Sequence, residues 1–389
     1  MIFFFNKVLL PFGLQYSILL TPFFIYYLHQ KDGLNKLRLP FILLGIYSLI
    51  HLCIGVVIKD FMISTTIMVS LIIYVATFFQ YYKSSIYVDA IIKKLTQLNF
   101  GFTLLALLSL ISNQFVGIFW YLVPFTAGYQ VIPRLKLFEL EASHYSLMLL
   151  PLFFYYFWLV LKKLDRTNVL LFLSLALSLT LSFSLGVIAV VVLSISLVLL
   201  IHALRFIRFK ATRNKLGGLI LIAGLGLFLL FILFPDNPLL FRIHNILSGA
   251  DTSGRGRTYE AFEIGWQVLQ VNNPYFGIGL GQFKIIGREI LIYYYQFSGT
   301  PQVARLPNCM AETLVVYGGI GFALKLLFQC FLFLKFKVYN NIYQLSLFLG
   351  IFIYQFTGSY LFNSMEYIIW VMAIYPKFSS FHCAHYFKS

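Results

Sequence analysis

Apolar runs of about 18 or more residues recur from one end of this chain to the other. No other feature limits its fold as strongly. A helix rises about 1.5 Å per residue, so about 20 apolar residues cross a hydrocarbon core of roughly 30 Å. In lipid a backbone N–H or C=O finds no solvent partner, and a helix satisfies both within itself. Over 389 residues, 60% are hydrophobic and 11% charged, with a mean hydropathy of +0.86. These values exclude a soluble globular domain and predict an all-α, polytopic integral membrane protein.

Hydropathy places about eleven spans, near 8–28, 40–58, 62–80, 97–113, 143–161, 168–182, 185–203, 216–234, 308–334, 341–358 and 364–380. The residues 1–389 read as one transmembrane domain. The first apolar run is expected to remain as a span, because no small-residue cleavage site follows it. That puts the N-terminus outside. The net charge of +16 does not point to nucleic acid. Its basic residues cluster between apolar runs as the positive-inside rule expects. The clusters are Lys31/Lys36/Arg38, Lys83/Lys93/Lys94, Lys162/Lys163/Arg166, Arg205/Arg208/Lys210/Arg213/Lys215 and Lys335/Lys337. The cytoplasmic loops are then 29–39, 81–96, 162–167, 204–215 and 335–340, and two substantial loops, 114–142 and 235–307, lie outside. Asp60, Glu139, Glu141, Asp236, Asp251, Glu260, Glu263 and Glu289 all fall on that outer side. The apolar stretch 168–203 is expected to turn tightly at Ser182, Ser184 and Gly186.

A membrane protein has little reason to keep a polar loop as long as 235–307 without a use for it. Ser253-Gly254-Arg255-Gly256-Arg257 precedes a helical pattern from Thr258 to Val271, in which Ala261, Phe262, Ile264, Val268 and Leu269 share one side. An arginine ahead of a helix can grip a diphosphate bidentately, which makes Arg255 and Arg257 candidates; a lipid headgroup or a carboxylate is the bland alternative. Gly277, Gly279 and Gly281 follow Pro274 without a βαβ unit around them, so they are expected to let the backbone turn or approach closely.

Two further constellations enter spans. Arg134, Lys136, Glu139, Glu141, Ser143 and His144 lead into the fifth. Glu141 and His144 are three apart, a carboxylate and an imidazole able to take a hydroxyl proton. The alternative is a helix N-terminus with its usual acidic residue and Ser143 as cap. Arg305-Leu306-Pro307-Asn308 leads into the ninth span, with Asn308 as a candidate N-cap and Glu312 one turn inside, where a carboxylate is costly and points to function. Gly318 and Gly321 would allow close helix packing. Tyr121, Tyr129, Tyr259, Tyr275 and Tyr293 to Tyr295 suit either sugar stacking or an interfacial aromatic belt. The cysteines Cys53, Cys309, Cys330 and Cys383 show neither metal-ligand nor disulfide spacing, and no metal motif is present.

Taken together, these segments resemble the O-antigen polymerase (Wzy) group of the O-antigen ligase/polymerase family. The resemblance is carried by Glu141-Ala142-Ser143-His144, by Ser253-Gly254-Arg255 with Asn273 to Phe283, and by Asn308, Glu312, Gly318 and Gly321. Ligases of this family place a histidine before the asparagine, and this chain has Pro307, which leans toward a polymerase. The resemblance implies a glycosyltransferase without metal or cofactor, on the outer face of the bacterial inner membrane. Its donor would be an undecaprenyl-diphosphate-linked oligosaccharide, and its pathway partners a flippase and a chain-length regulator. Arg255, helped by Arg134 or Arg305, would stabilise the leaving diphosphate, and Glu141 or Glu312 would take the acceptor proton. His144, Arg257, Arg305, Asn308 and Tyr259 would bind substrate. A ligase acting on lipid A-core and a lipid-linked oligosaccharide flippase are the alternatives.

Overall fold

The structure, a computed structural model, describes residues 4, 18–111, 115–123, 131–203, 217–218, 238–249, 251–295 and 305–386. Outside these lie almost all of the span expected at 216–234, the basic cluster from Arg205 to Lys215, Asp236, Tyr129 and part of each long loop.

The described chain is helical almost throughout. In order it forms α1 (Thr21–Gln30), α2 (Arg38–Ile54), α3 (Ile58–Ser84), α4 (Val88–Ser109), α5 (Val116–Phe119), α6 (Ala142–Lys162), α7 (Arg166–Leu181), α8 (Leu185–Ile201), α9 (Pro238–Leu247), α10 (Thr252–Arg257), α11 (Tyr259–Val271), α12 (Phe283–Tyr295), α13 (Cys309–Lys335), α14 (Ile342–Tyr354), α15 (Ser364–Ile374) and α16 (Cys383–Tyr386). Two short strands, β1 (Trp120–Tyr121) and β2 (Arg134–Leu135), pair antiparallel with Tyr121 opposite Arg134. Among the described residues, five helical stretches are long and apolar enough to cross a bilayer by length and composition, one of them α13 despite a break at Gly318, and four shorter apolar helices accompany them. The protein is an all-α, polytopic membrane protein.

Several boundaries differ from the hydropathy reading. The expected loop 81–96 is nearly all helix, since α3 continues to Ser84 and α4 begins at Val88. Hydropathy detects only the lipid-facing part of a helix, and Asp89, Lys93 and Lys94 extend α4 beyond it. The last two spans are shorter than expected, with 13 residues in α14 and 11 in α15. The polar stretch from Gln355 to Asn363, with Ser359 at a φ of 64°, interrupts the helix between them.

The described chain forms two compact units. The first comprises residues 1–86, 255–336 and 351–374. In it α3 packs against α1 and α15, and the loop helix α11 packs against α12 and α13. Ala261, Ile264 and Val268 of α11 are buried with Leu306, Ala311 and Val315. These are the residues expected on one side of that helix, and burial of such a stripe is what makes a short amphipathic helix stable. Gly265 permits the approach, because a Cβ there would stand 2.9 Å from Val315 Cγ2.

The run expected as one span at 308–334 is two helical segments. Gly318 has φ 67° and ψ −174°, a conformation essentially confined to glycine. Lys325 Nζ lies 3.1 Å from Thr313 Oγ1 and 3.2 Å from Cys309 Sγ. In a straight helix twelve residues separate two side chains by about 18 Å, beyond a lysine's reach. The segment after Gly318 therefore turns back alongside the segment before it.

The glycine-rich stretch of the long loop seats on this break. Ile278 N–H donates to Val315 O (2.9 Å) and Gly279 N–H to Val316 O (3.2 Å), while Gly319 N–H donates to Pro274 O (2.8 Å) and Ile320 N–H to Tyr275 O (3.2 Å). The break frees backbone groups that a continuous helix would satisfy, and the loop supplies their partners. Gln282 anchors the far end of the stretch, accepting from Val57 N–H at 2.9 Å.

The second unit comprises residues 87–254, 337–350 and 375–389. Its centre is α6, buried along nearly its whole length. Tyr145 Oη donates to Asn99 Oδ1 (2.8 Å), Asn99 Nδ2 to Ser178 Oγ (3.0 Å), and Trp158 Nε1 to Ser346 Oγ (2.8 Å). Apolar burial gives helices little reason to associate in lipid, so such polar ties, each worth about 0.6–2 kcal/mol, help select the packing.

Candidate functional site

The sequence-predicted residues divide between the two units. Arg134, Glu141 and His144 belong to the second; Arg255, Arg257, Tyr259, Arg305, Asn308 and Glu312 belong to the first.

In the first unit, Arg255 stands in the last turn of α10, with its side chain 42% exposed. Its Nε is 3.2 Å from Oε1 of Glu260, whose side chain is only 6% exposed. The second oxygen of Glu260 accepts a hydrogen bond from Tyr295 Oη at 3.1 Å. Burial and the Glu260 carboxylate both push the Tyr295 hydroxyl upward, so it stays protonated and donates. Beside this group, Tyr294 Oη donates to Glu263 at 2.6 Å, and that bond is the main reason the Tyr294 hydroxyl is pushed up to about 12. Two tyrosine–carboxylate pairs thus tie α12 to α11, and one of them carries the arginine. Tyr259 lies on the exposed side of α11. Glu260 did not stand out in the sequence except as one more outer acid; the signal was a carboxylate five residues after Arg255, on the first turn of a helix.

Asn308 is the N-cap of α13. Its Oδ1 accepts from Met310 N–H (3.0 Å) and Ala311 N–H (2.9 Å), and its Nδ2 donates to Arg257 O (2.8 Å) and Phe356 O (2.6 Å). Two donors and two acceptors are occupied by protein, and the residue is fully buried. This gives Asn308 a scaffold role rather than the direct substrate contact expected of it: it fixes the backbone of Arg257. Arg305 lies with its guanidinium carbon 5.7 Å from the centroid of the Tyr360 ring. Glu312 accepts from Leu361 N–H at 2.7 Å, which holds the interrupted stretch before α15.

A second polar cluster in this unit was not singled out from the sequence. Cys309 Sγ donates to Glu366 Oε1 (3.4 Å), Ser359 Oγ donates to Glu366 Oε2, and Gln329 and Gln355 exchange two amide bonds of 2.9 and 3.0 Å. Of these groups Glu366 and Gln329, together with Lys325 and Thr313, line a cavity of about 560 Å³ whose other walls are largely apolar, among them Met68, Phe328, Leu332 and Trp370. The sequence signal was present, since Lys325 and Glu366 are ionisable residues inside apolar runs.

In the second unit, Arg134 Nε donates to Ser182 O at 3.2 Å, and its guanidinium carbon lies 5.9 Å from the Tyr121 ring centroid. Glu141 occupies the N-cap position of α6 without a side-chain cap bond. Ser143, the expected cap, instead donates to Glu141 Oε2 at 3.1 Å. His144 is buried in the first turn. The neighbouring Lys136 is pushed below the usual lysine range by burial, with Glu139 opposing that shift. Among the described residues, no group of three or more His, Cys, Asp or Glu is placed to hold a metal ion.

Residues 147–326 match the model of the family described as O-antigen ligase. This part of the chain is similar to that family. The match supports the ligase/polymerase family as a whole and does not separate its two activities. It begins just after Glu141 and His144 and takes in Arg255, Glu260, Arg305, Asn308 and Glu312. No curated protein matches the chain.

Proposed function

We propose that the protein is a polysaccharide polymerase that joins undecaprenyl-diphosphate-linked oligosaccharide repeats on the outer face of the bacterial cytoplasmic membrane. One observation carries the reading. Within the segment similar to the O-antigen ligase family, a half-exposed arginine is anchored by a buried carboxylate at the start of a loop helix. A guanidinium offers five N–H donors in a planar fork suited to phosphate oxygens.

In the proposed reaction, a hydroxyl oxygen of the acceptor's terminal sugar attacks the anomeric carbon of the donor glycan. The bond from that carbon to the diphosphate oxygen breaks, and undecaprenyl diphosphate leaves with the electron pair. Arg255, assisted by Arg134 or Arg305, stabilises the charge growing on the diphosphate. The acceptor proton passes to Glu141 or Glu312, a step whose general-base assistance is worth about 10²–10⁴-fold. Arg257, His144 and Tyr259 hold the substrates, and the reaction draws on neither metal nor cofactor. A flippase supplies the lipid-linked repeats and a chain-length regulator acts on the product.

Transfer of finished glycan to lipid A-core is the second reading, favoured by the description of the matched family. Pro307, where the resemblance places a ligase histidine, favours the polymerase. Surface polysaccharide from a deletion strain, run on a gel, tests both. The expected result is a ladder collapsed to core plus a single repeat, restored by the wild-type gene and not by Arg255→Ala. Loss of every repeat would point to the ligase or a flippase. A normal ladder from Arg255→Ala at equal protein level would remove the arginine from the site.

A further inference from the structure

We propose that Glu260 is a positioning residue that orients Arg255 toward a diphosphate through their ion pair, with Tyr295 holding the carboxylate from its other side. The inference rests on the diphosphate reading of Arg255 given above.

Three features support it. First, the pair is asymmetric: the Glu260 side chain is 6% exposed and the Arg255 side chain 42% exposed. The carboxylate is turned into the protein and pairs with Nε, at 3.2 Å, the guanidinium nitrogen nearest the chain, and a guanidinium carries two further NH₂ groups able to meet an anion. Second, both carboxylate oxygens are committed, one to Arg255 and one to Tyr295 Oη. A carboxylate fixed at both oxygens holds one rotamer, and an arginine tied to it loses much of the side-chain freedom that binding would otherwise have to remove. Third, the local sequence makes room for the arrangement. A Cβ on Gly256 would stand 3.3 Å from Tyr295 Oη and 3.7 Å from Glu260 Oε2, so glycine at that position leaves the tyrosine hydroxyl its path.

The role has a signature that bulk charge does not share. Glu260→Gln removes a negative charge near an anionic ligand, which on Coulombic grounds strengthens binding. If Glu260 orients Arg255, the same substitution weakens it.

The test is a titration of the full-length protein in lipid nanodiscs with undecaprenyl diphosphate. Arg255→Ala is expected to raise Kd about 10- to 100-fold, the size of a lost charge-assisted contact. Glu260→Gln is expected to raise it about 3- to 10-fold in the wild-type background and to change nothing beyond about twofold in the Arg255→Ala background, as coupling through one shared partner requires. Glu260→Asp should recover part of the loss. Tyr295→Phe, which removes one hydroxyl and leaves the ion pair, should raise Kd about twofold and again only when Arg255 is present; it reads the same coupling if Glu260→Gln lowers the unfolding temperature. Tighter or unchanged binding by Glu260→Gln, or losses that add to that of Arg255→Ala, would overturn the positioning role. An unchanged Kd for Arg255→Ala would overturn the diphosphate reading itself.

Discussion

Gly277 and Gly318 meet backbone to backbone. A Cβ on Gly277 would stand 2.5 Å from the Gly318 amide nitrogen, and one on Gly318 would stand 2.2 Å from the Tyr275 carbonyl oxygen. Both residues also have positive φ, 77° and 67°. Here the long polar loop is tied into the break of α13, so the position of the loop and the course of the helix depend on the same contact.

Alanine at either glycine should therefore be far more harmful than alanine at an ordinary turn. The strained backbone alone costs about 1–3 kcal/mol, and the clash with main-chain atoms cannot be relieved by a rotamer change. Gly277→Ala and Gly318→Ala are expected to lower the unfolding temperature in detergent. Gly45→Ala, whose added Cβ meets nothing within 4 Å, should leave it nearly unchanged. Equal unfolding temperatures for all three would refute the contact.

Asn308 makes a prediction of a different kind. Removing an N-cap side chain costs about 0.5–2 kcal/mol, and here it also strips donors from Arg257 O and Phe356 O. Asn308→Ala should destabilise the protein, while Asn308→Asp should restore the cap but not the two donated bonds. Because Asn308 fixes the backbone of Arg257, both variants should weaken diphosphate binding in proportion to their loss of stability. A loss of binding at unchanged stability would give Asn308 a direct contact that its geometry does not leave open.

For Glu312, the Leu361 N–H bond separates two roles. Glutamine keeps an acceptor for that N–H and alanine does not. If Glu312 only braces the stretch before α15, Glu312→Gln should retain transfer and Glu312→Ala should lose stability. Should Glu312 be the proton acceptor, Glu312→Gln would fold normally and lose about 10²–10⁴-fold in rate. Transfer rates and unfolding temperatures of the two variants distinguish the outcomes, and Glu141→Gln provides the same contrast for the other candidate base.

Lys325 and Glu366 share Cys309 as an intermediary. Removing one charge leaves the other buried without its compensation, which is strongly unfavourable. Lys325→Met and Glu366→Gln should each lower the unfolding temperature, and the double variant should be more stable than the sum of the two losses predicts. Strict additivity would show that the two charges do not interact.

How much of this was legible beforehand differs between elements. The loop helix was written in its periodicity: Ala261, Ile264 and Val268 recur on one side, and α11 buries them. Asn308 as a cap was legible from residue type and from Pro307 ahead of it. The glycines from Gly277 to Gly281 could be read as structural, but not what they would approach. Lys325 was visible as a charge inside an apolar run, but its partners were not, because an unbroken apolar run predicts one straight span and a straight span keeps Lys325 far from Cys309 and Thr313.

Membrane insertion, helical architecture and the division into apolar spans and polar loops follow from local chemistry, because lipid imposes the same demand on every backbone group along the chain. The sequence by itself determined these. It also determined the residue types available to a site: Arg255, Glu141, Glu312 and their neighbours. Only the tertiary structure decided that α13 turns back at Gly318, that Asn308 is occupied by the protein's own backbone, and that Glu260 and Tyr295 hold Arg255. Each of these is a contact between separate segments, and its energy depends on an approach of a few ångströms that no local pattern encodes.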